Sequence, residues 1–222
     1  MRRVYLPFGE SDVVPGMDAG QRKEMIERHR DSVSYFGYSS EALYWESRGG
    51  QKIRFEALAE IGIRPWDSLL DVGCGFGDLY SWLNGKGLPV DYTGIDLSPD
   101  ILAKGLEMNP GLKLLQGEVF DFDWAPESFD WIVLSGTLNW DLHDDGEYAM
   151  RVIDRMFKLC RNGVAFNMLD HRNIDAASLL ELIAYDVDAV FSFCKKITPA
   201  CQLRTDYLAD DFTIYMRRSE QA

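Results

Sequence analysis

The chain has 222 residues, 46% of them apolar, and a formal net charge of −13. That is enough for one sizeable core and too little for two ordinary domains with a linker. So acidic a surface repels phosphate backbones and anionic lipid, which excludes nucleic acid and membrane surfaces as first expectations for partners.

No stretch reaches the ~18 apolar residues of a membrane-spanning helix, and residues 1–19 lack the apolar segment of a signal peptide. The four cysteines, Cys74, Cys160, Cys194 and Cys201, form no CxxC pair. Reduced thiols, a cytoplasmic location and no metal site are expected. Residues 1–19 hold two prolines, two glycines and several acids and are predicted to be a loosely held arm. Residues 20–62 are predicted to be a helical cap, rich in aromatic side chains (Tyr35, Phe36, Tyr38, Tyr44, Trp45). Within it Ser40-Glu41 suits a helix start and Gly49-Gly50 a break. Ile53, Phe55, Leu58 and Ile61 recur at roughly helical spacing, with Gly62 as a stop.

After Pro65 the rhythm becomes strand, turn, helix, repeated. Strands are predicted over 68–72, 90–96, 112–117, 129–136 and 163–170. Helices are predicted over 78–84, from Ser98-Pro99 to 108, and over 146–159; the serine is the N-cap and the proline the first helical residue. This alternation gives right-handed crossovers and a parallel sheet with helices on both faces. The runs "DAASLLELIAYD" and "DVDAVFSFCKKI" read as helical. "ACQLRTDY" and "DFTIYMRR" are strand-like and joined by "LAD", a gap too short for a crossover helix, so they should pair as an antiparallel hairpin.

The stretch "SLLDVGCGFGDL", residues 68–79, sets Gly73, Gly75 and Gly77 between a strand and a helix. Glycines there allow a ligand to approach backbone N–H groups at a helix N-terminus. A dinucleotide loop spaces its glycines G-x-G-x-x-G. Here the spacing is G-x-G-x-G, and Asp78 stands where two phosphates would lie. Asp71, two residues before the first glycine, suits a cationic amino-acid end. Asp96 closes the second predicted strand about 20 residues beyond the loop, where an acid accepts hydrogen bonds from ribose hydroxyls. A ribose, a cationic amino-acid end and no phosphates describe S-adenosylmethionine.

With these motifs in order the chain resembles the class I S-adenosylmethionine-dependent methyltransferases. "LLDVGCGFGDL" is similar to their first motif, "YTGIDLSP" to their ribose-binding strand end and "LQGEVFDFDW" to their adenine-contacting segment. "FDWIVLSGTLNW" is similar to their strand-four motif and "DYLADDFTIYMRR" to their closing hairpin. The resemblance spans residues 63–217 and implies an α/β, Rossmann-like doubly wound sheet of seven strands. That sheet is mostly parallel, ends in an antiparallel hairpin, and lies behind the cap in a single domain. It also implies roles. Asp71 orders the loop or binds the ammonium end; Gly73, Cys74, Gly75 and Gly77 give close backbone contact. Asp96 holds the ribose, Leu97 stacks on adenine, Glu118 and Val119 contact the adenine, and Ser135 lies beside the methionine portion. Glu118 departs from the aspartate many members carry.

Methyl transfer from a sulfonium asks mainly for in-line alignment and exclusion of water. His143, just past the fourth strand, is the candidate general base, with a solvated acidic helix start as the competing reading. Arg54, in the helix before the loop, is a candidate for the methionine carboxylate or an exposed helix arginine. The cap aromatics, Tyr44 among them, either cover the site or pack on the sheet. No NPPY-like run follows the fourth strand and no Pro-Cys nucleophile occurs. A small-molecule acceptor is expected, ahead of a protein acceptor. A non-catalytic module of the same fold and an NAD-dependent oxidoreductase are the alternatives.

Overall fold

The computed structural model describes residues 16–174 and 181–218. Seven strands form one sheet in the order β3-β2-β1-β4-β5-β7-β6. They are β1 (Ser68–Val72), β2 (Asp91–Asp96), β3 (Leu114–Gln116), β4 (Phe129–Ser135), β5 (Cys160–Leu169), β6 (Cys201–Arg204) and β7 (Asp211–Arg217). The first five strands pair in parallel. β7 lies antiparallel between β5 and β6, as the short "LAD" connection requires. Strand order reverses between β1 and β4, which opens a crevice at the carboxyl ends of these strands.

The central strands are apolar almost without interruption because helices cover both faces. In β4, Trp131 and Val133 join Leu69, Ala165 and Tyr215 against α2 (Arg48–Ala59). Ile132 and Leu134 turn the other way, with Phe166 and Phe212, toward α5 (Glu147–Leu159) and α6 (Val187–Ile197). The linking helices α3 (Asp78–Gly85) and α4 (Pro99–Met108) start where the capping residues direct. Ser98 accepts from the Ile101 N–H and Pro99 takes the first helical position.

The cap differs from its sequence reading. Helix α1 (Ala19–Phe36) begins on a capping box of Asp18 and Gln21. Residues 16–18 are therefore held: the Met17 N–H donates to Glu118 Oε1 at 2.9 Å. Ser40 and Glu41 lead into a single 3₁₀ turn, Glu41–Leu43. Gly49 and Gly50 do not break a helix. They lie in the first turn of α2, whose N-cap Ser47 accepts from the Gly50 N–H at 3.1 Å. Glycine weakens helix interiors most; in the first turn the cap supplies the missing order.

Of the predicted helix "DAASLLELIAYD", residues 175–180 lie outside the described residues. Residues 181–186 are not helical: Leu182 bridges Trp140 and Tyr185 bridges Asp170. The Tyr185 hydroxyl donates to the Leu138 carbonyl at 2.5 Å. The three-residue spacing of Leu182 and Tyr185 imitates a helix face, and tertiary pairing overrides it. No helix among the described residues is long and apolar enough to cross a membrane.

Candidate active site

The glycine loop hangs from the end of β2, where the Gly73 and Cys74 N–H groups donate to the Ile95 carbonyl at 2.8 and 2.9 Å. Gly73 has φ +69° and Gly75 φ +56°. A Cβ on Gly73 would fall 2.0 Å from Thr137 Oγ1; on Gly75 it would fall 2.8 Å from Leu43 Cδ1 of the cap. Gly77 precedes α3 as its N-cap. Asp78 accepts from the Tyr38 hydroxyl at 2.5 Å and from Gln51 Nε2 at 3.4 Å, which ties the cap to α3.

Asp71 lies beneath the loop, 3% exposed, and accepts from the Tyr92 hydroxyl at 2.6 Å. Burial pushes its carboxyl up, the Tyr92 hydrogen bond pulls it partly back, and Asp96 and Asp78 push it up again, to about 7. Asp96 faces the loop directly. It accepts from the Gly75 N–H at 3.0 Å and the Ser98 N–H at 2.9 Å. Two backbone donors leave a carboxylate with lone pairs for further donors. Leu97, half-buried, offers its carbonyl to Gln116 Nε2 at 3.3 Å.

Glu118, 6% exposed, is fully engaged. It accepts from Met17 N–H, from the Tyr148 hydroxyl at 2.7 Å and from Arg22, which also binds Asp121 at 2.8 and 2.7 Å. Val119 beside it is buried. At the end of β4, Ser135 Oγ and the Gly136 N–H donate to Asn167 Oδ1 at 3.3 and 3.0 Å. Trp45 rests on Gly136: a Cβ there would lie 2.5 Å from Trp45 Cη2.

The two basic candidates lie in opposite surroundings. Arg54 is not exposed: its guanidinium lies 4.7 Å from the Trp45 ring centre and pairs with Asp211. Burial pushes the Asp211 carboxyl up to about 6, against the pull of Arg54. His143 has φ +58° and an 89% exposed side chain, its Nδ1 3.5 Å from Asp141 Oδ2. The acidic turn holds the backbone, the His143 N–H donating to Asp141 Oδ1 at 2.8 Å, and sends the ring to solvent. This is the placement that the competing reading, a solvated acidic helix start, describes.

Tyr44 packs edge-on against His29 and Trp140, and its hydroxyl donates to the Arg28 carbonyl at 3.2 Å. His29 Nδ1 lies 3.0 Å from the Met25 carbonyl. A carbonyl only accepts, so Nδ1 is the donor in this contact. His29, Arg22 and Asn167 went unnoticed in the sequence. The four- and three-residue steps from Met25 through His29 to Ser32 on α1 were the available signal for the first. Tyr35 and Phe36 meet edge-to-face and stay exposed.

The site is thus roofed by the cap: Leu43 on Gly75, Trp45 on Gly136, and Met17 with Arg22 on Glu118. Beside it a cavity of about 10 Å³ remains, lined by Met25, Leu138, Trp140, Tyr148 and Tyr185. Among the described residues no group of three or more His, Cys, Asp or Glu is placed to hold a metal ion.

Comparison with known proteins finds a methyltransferase domain family matching residues 69–163. A Mycobacterium tuberculosis protein assigned as a methyltransferase is 31% identical over 161 residues, 68% of this chain and 93% of its own length. The 18S rRNA (guanine(1575)-N(7))-methyltransferase of Saccharomyces cerevisiae is 28% identical over 122 residues, 52% of this chain and 44% of its own. Synechocystis magnesium protoporphyrin IX methyltransferase, solved with bound S-adenosylmethionine, shares the fold. It gives a TM-score of 0.62 at 14% identity over 93% of this chain and all of its own.

Proposed function

The chain belongs to the class I S-adenosylmethionine-dependent methyltransferases, and from that membership we propose that its methyl acceptor is a small molecule and that the strand-end residues above form its donor site. The residues fit the donor. The glycine loop is a cradle that any Cβ would fill, and Asp96 and Glu118 sit near the ends of adjacent strands β2 and β3. When bound, the donor supplies a methyl group already activated on a sulfonium. The chain's own task is alignment and exclusion of water.

In this reading Asp96 accepts from the ribose hydroxyls with the lone pairs that Gly75 and Ser98 leave. Glu118 and Val119 line the adenine, and Leu97 stacks on it. Gly73, Cys74 and Gly75 present backbone, and Ser135 lies beside the methionine portion. Asp71 orders the loop from below through Tyr92. Residues 63–217 act as one catalytic domain with residues 20–62 as its cap.

The observation carrying the small-molecule reading is the roof. Leu43 and Trp45 close over the loop and the end of β4, which favours an acceptor small enough to lie beneath them. A yeast relative methylates rRNA, so macromolecular acceptors belong in the test. S-adenosylhomocysteine release is measured with a panel of small acceptors, a peptide library and total RNA. Turnover with a small compound supports the reading, and turnover confined to peptide or RNA sinks it.

Asp96→Ala is expected to weaken S-adenosylhomocysteine binding by about 1.5–3 kcal/mol, roughly 10- to 150-fold by calorimetry. An unchanged dissociation constant in a folded variant would remove Asp96 from the ribose site.

Donor and acceptor enter only if Leu43 and Trp45 lift, so residues 38–45 are expected to act as a lid. Bound S-adenosylhomocysteine then slows amide exchange in residues 38–45 as well as in 73–77. Protection confined to 73–77 would leave the cap aromatics as packing.

A further inference from the structure

Asn167 of β5 is 0% exposed. Its Oδ1 accepts from the Gly136 N–H and from Ser135 Oγ. A backbone N–H only donates, so the amide end facing Gly136 must be the oxygen, and chemistry fixes the orientation. The other end, Nδ2, has two N–H donors, is buried and has no hydrogen-bond partner. The other buried side-chain atoms without a hydrogen bond among the described residues, on Arg204 and Asp211, each lie in an ion pair. Asn167 Nδ2 is therefore the orphan. A buried donor left unpaired is rare and costly, and it asks for a reason.

Its place in the sheet supplies one. Asn167 stands opposite Ser135 of β4 and Thr213 of β7. Paired residues share a face, here the one that carries Val133, Ala165 and Tyr215 under α2. Around it lie Arg54 with Asp211, the Tyr207 and Thr213 hydroxyls bonded at 2.8 Å, and Trp45 on Gly136. Strand order fixes the distance from the donor. Asp96 ends β2, the glycine loop follows β1, Ser135 ends β4 and Asn167 lies in β5, each strand about 4.8 Å beyond the last. A donor reaching from Asp96 to Ser135 stops one strand short of Asn167.

We propose that Asn167 is a substrate-binding residue whose Nδ2 donates to an oxygen of the methyl acceptor, a carbonyl, carboxylate or phenolic oxygen, when Trp45 lifts from Gly136. This rests on the donor site proposed above. It selects acceptors that carry an oxygen near the methylated atom.

Nitrogen-15 labelled protein provides the test. The Asn167 side-chain NH₂ signals are assigned by their loss in Asn167→Asp, which keeps an oxygen for Gly136. S-adenosylhomocysteine is added first, then salicylate, catechol, glycine and, as an oxygen-free control, butylamine. The expected result is that S-adenosylhomocysteine shifts the amides of residues 73–77 and leaves the Asn167 NH₂ pair in place. At least one oxygen-bearing compound then moves that pair, and butylamine does not. In Asn167→Asp that compound binds about tenfold or more weakly, while S-adenosylhomocysteine affinity stays within about threefold. If S-adenosylhomocysteine alone moves the Asn167 pair and loses about tenfold affinity in the variant, the oxygen belongs to the methionine carboxylate and the proposal is overturned. It is also overturned if no oxygen-bearing compound moves the pair. Unshifted 73–77 amides would instead sink the donor site, and this proposal with it.

Discussion

Gly75→Val is expected to bind S-adenosylhomocysteine at least about a hundredfold more weakly than the parent chain, a loss of about 2.7 kcal/mol or more. Two causes add. Gly75 sits at φ +56°, a conformation that costs a side-chain-bearing residue about 1–2 kcal/mol and a β-branched one more. The new side chain also points at Leu43, into the side of the loop where the proposed donor site lies. The Gly75 N–H is further bonded to Asp96, so a shifted loop moves the acid proposed to hold the ribose as well. Gly87→Val is the control. Gly87 has φ +74° with nothing within 4 Å of its Cβ position, so it shares the strain and not the site. Calorimetry should show normal binding for the control and none for Gly75→Val. A folded Gly75→Val chain with normal affinity would show that the loop is not the cradle.

Asp71→Asn is expected to be more stable than the parent at pH 8, by up to about 4 kcal/mol or ~8–16 °C in Tm. The Asp71 carboxyl titrates at about 7 in the folded chain and at about 4 in an unfolded one. Between those values the folded chain keeps a proton the unfolded chain has released. Stability from this group is therefore complete below about pH 4 and falls as pH rises through about 7. Asparagine removes the titration and still accepts from the Tyr92 hydroxyl. Asp211, raised to about 6, slopes the same way in both proteins. Asp130, held at about 2 chiefly by its hydrogen bond from Arg161, acts oppositely below pH 4. Thermal melts from pH 4 to 8 provide the check: the advantage of Asp71→Asn should vanish at pH 4. An equal advantage at both ends would mean that the charge of Asp71 is not its cause.

The sheet was legible because its signals are local. Unbroken apolar runs, the Ser98-Pro99 cap and the short "LAD" gap each constrain their own neighbourhood. The turn at the three glycines and the place of Asp96 at the end of β2 were legible for the same reason. The cap was harder: Gly49-Gly50 reads as a break until Ser47 is seen to cap the turn. Beyond β5, Leu182 and Tyr185 carry helix-like spacing that pairing with Trp140 and Asp170 overrides. Asp78 was read against phosphates, whereas its partner is Tyr38, 40 residues earlier. His143 looked well placed along the chain, but a positive φ turned it outward. Asn167 sits in a run that reads simply as a strand. Its unpaired amide exists only because of what β4 and β7 bring beside it.

The roof of Leu43, Trp45, Met17 and Arg22 bears on how any affinity of this chain is to be interpreted. If the donor enters only when these side chains lift, and they then settle over it, the closed roof competes with entry. A dissociation constant measured on the whole chain is the intrinsic value divided by the fraction of molecules with the roof raised; if ~1% are raised, contacts worth a micromolar constant register as about 100 micromolar. A weak constant would then report the equilibrium of the roof, and the quality of the contacts beneath it would show only when that equilibrium is measured separately.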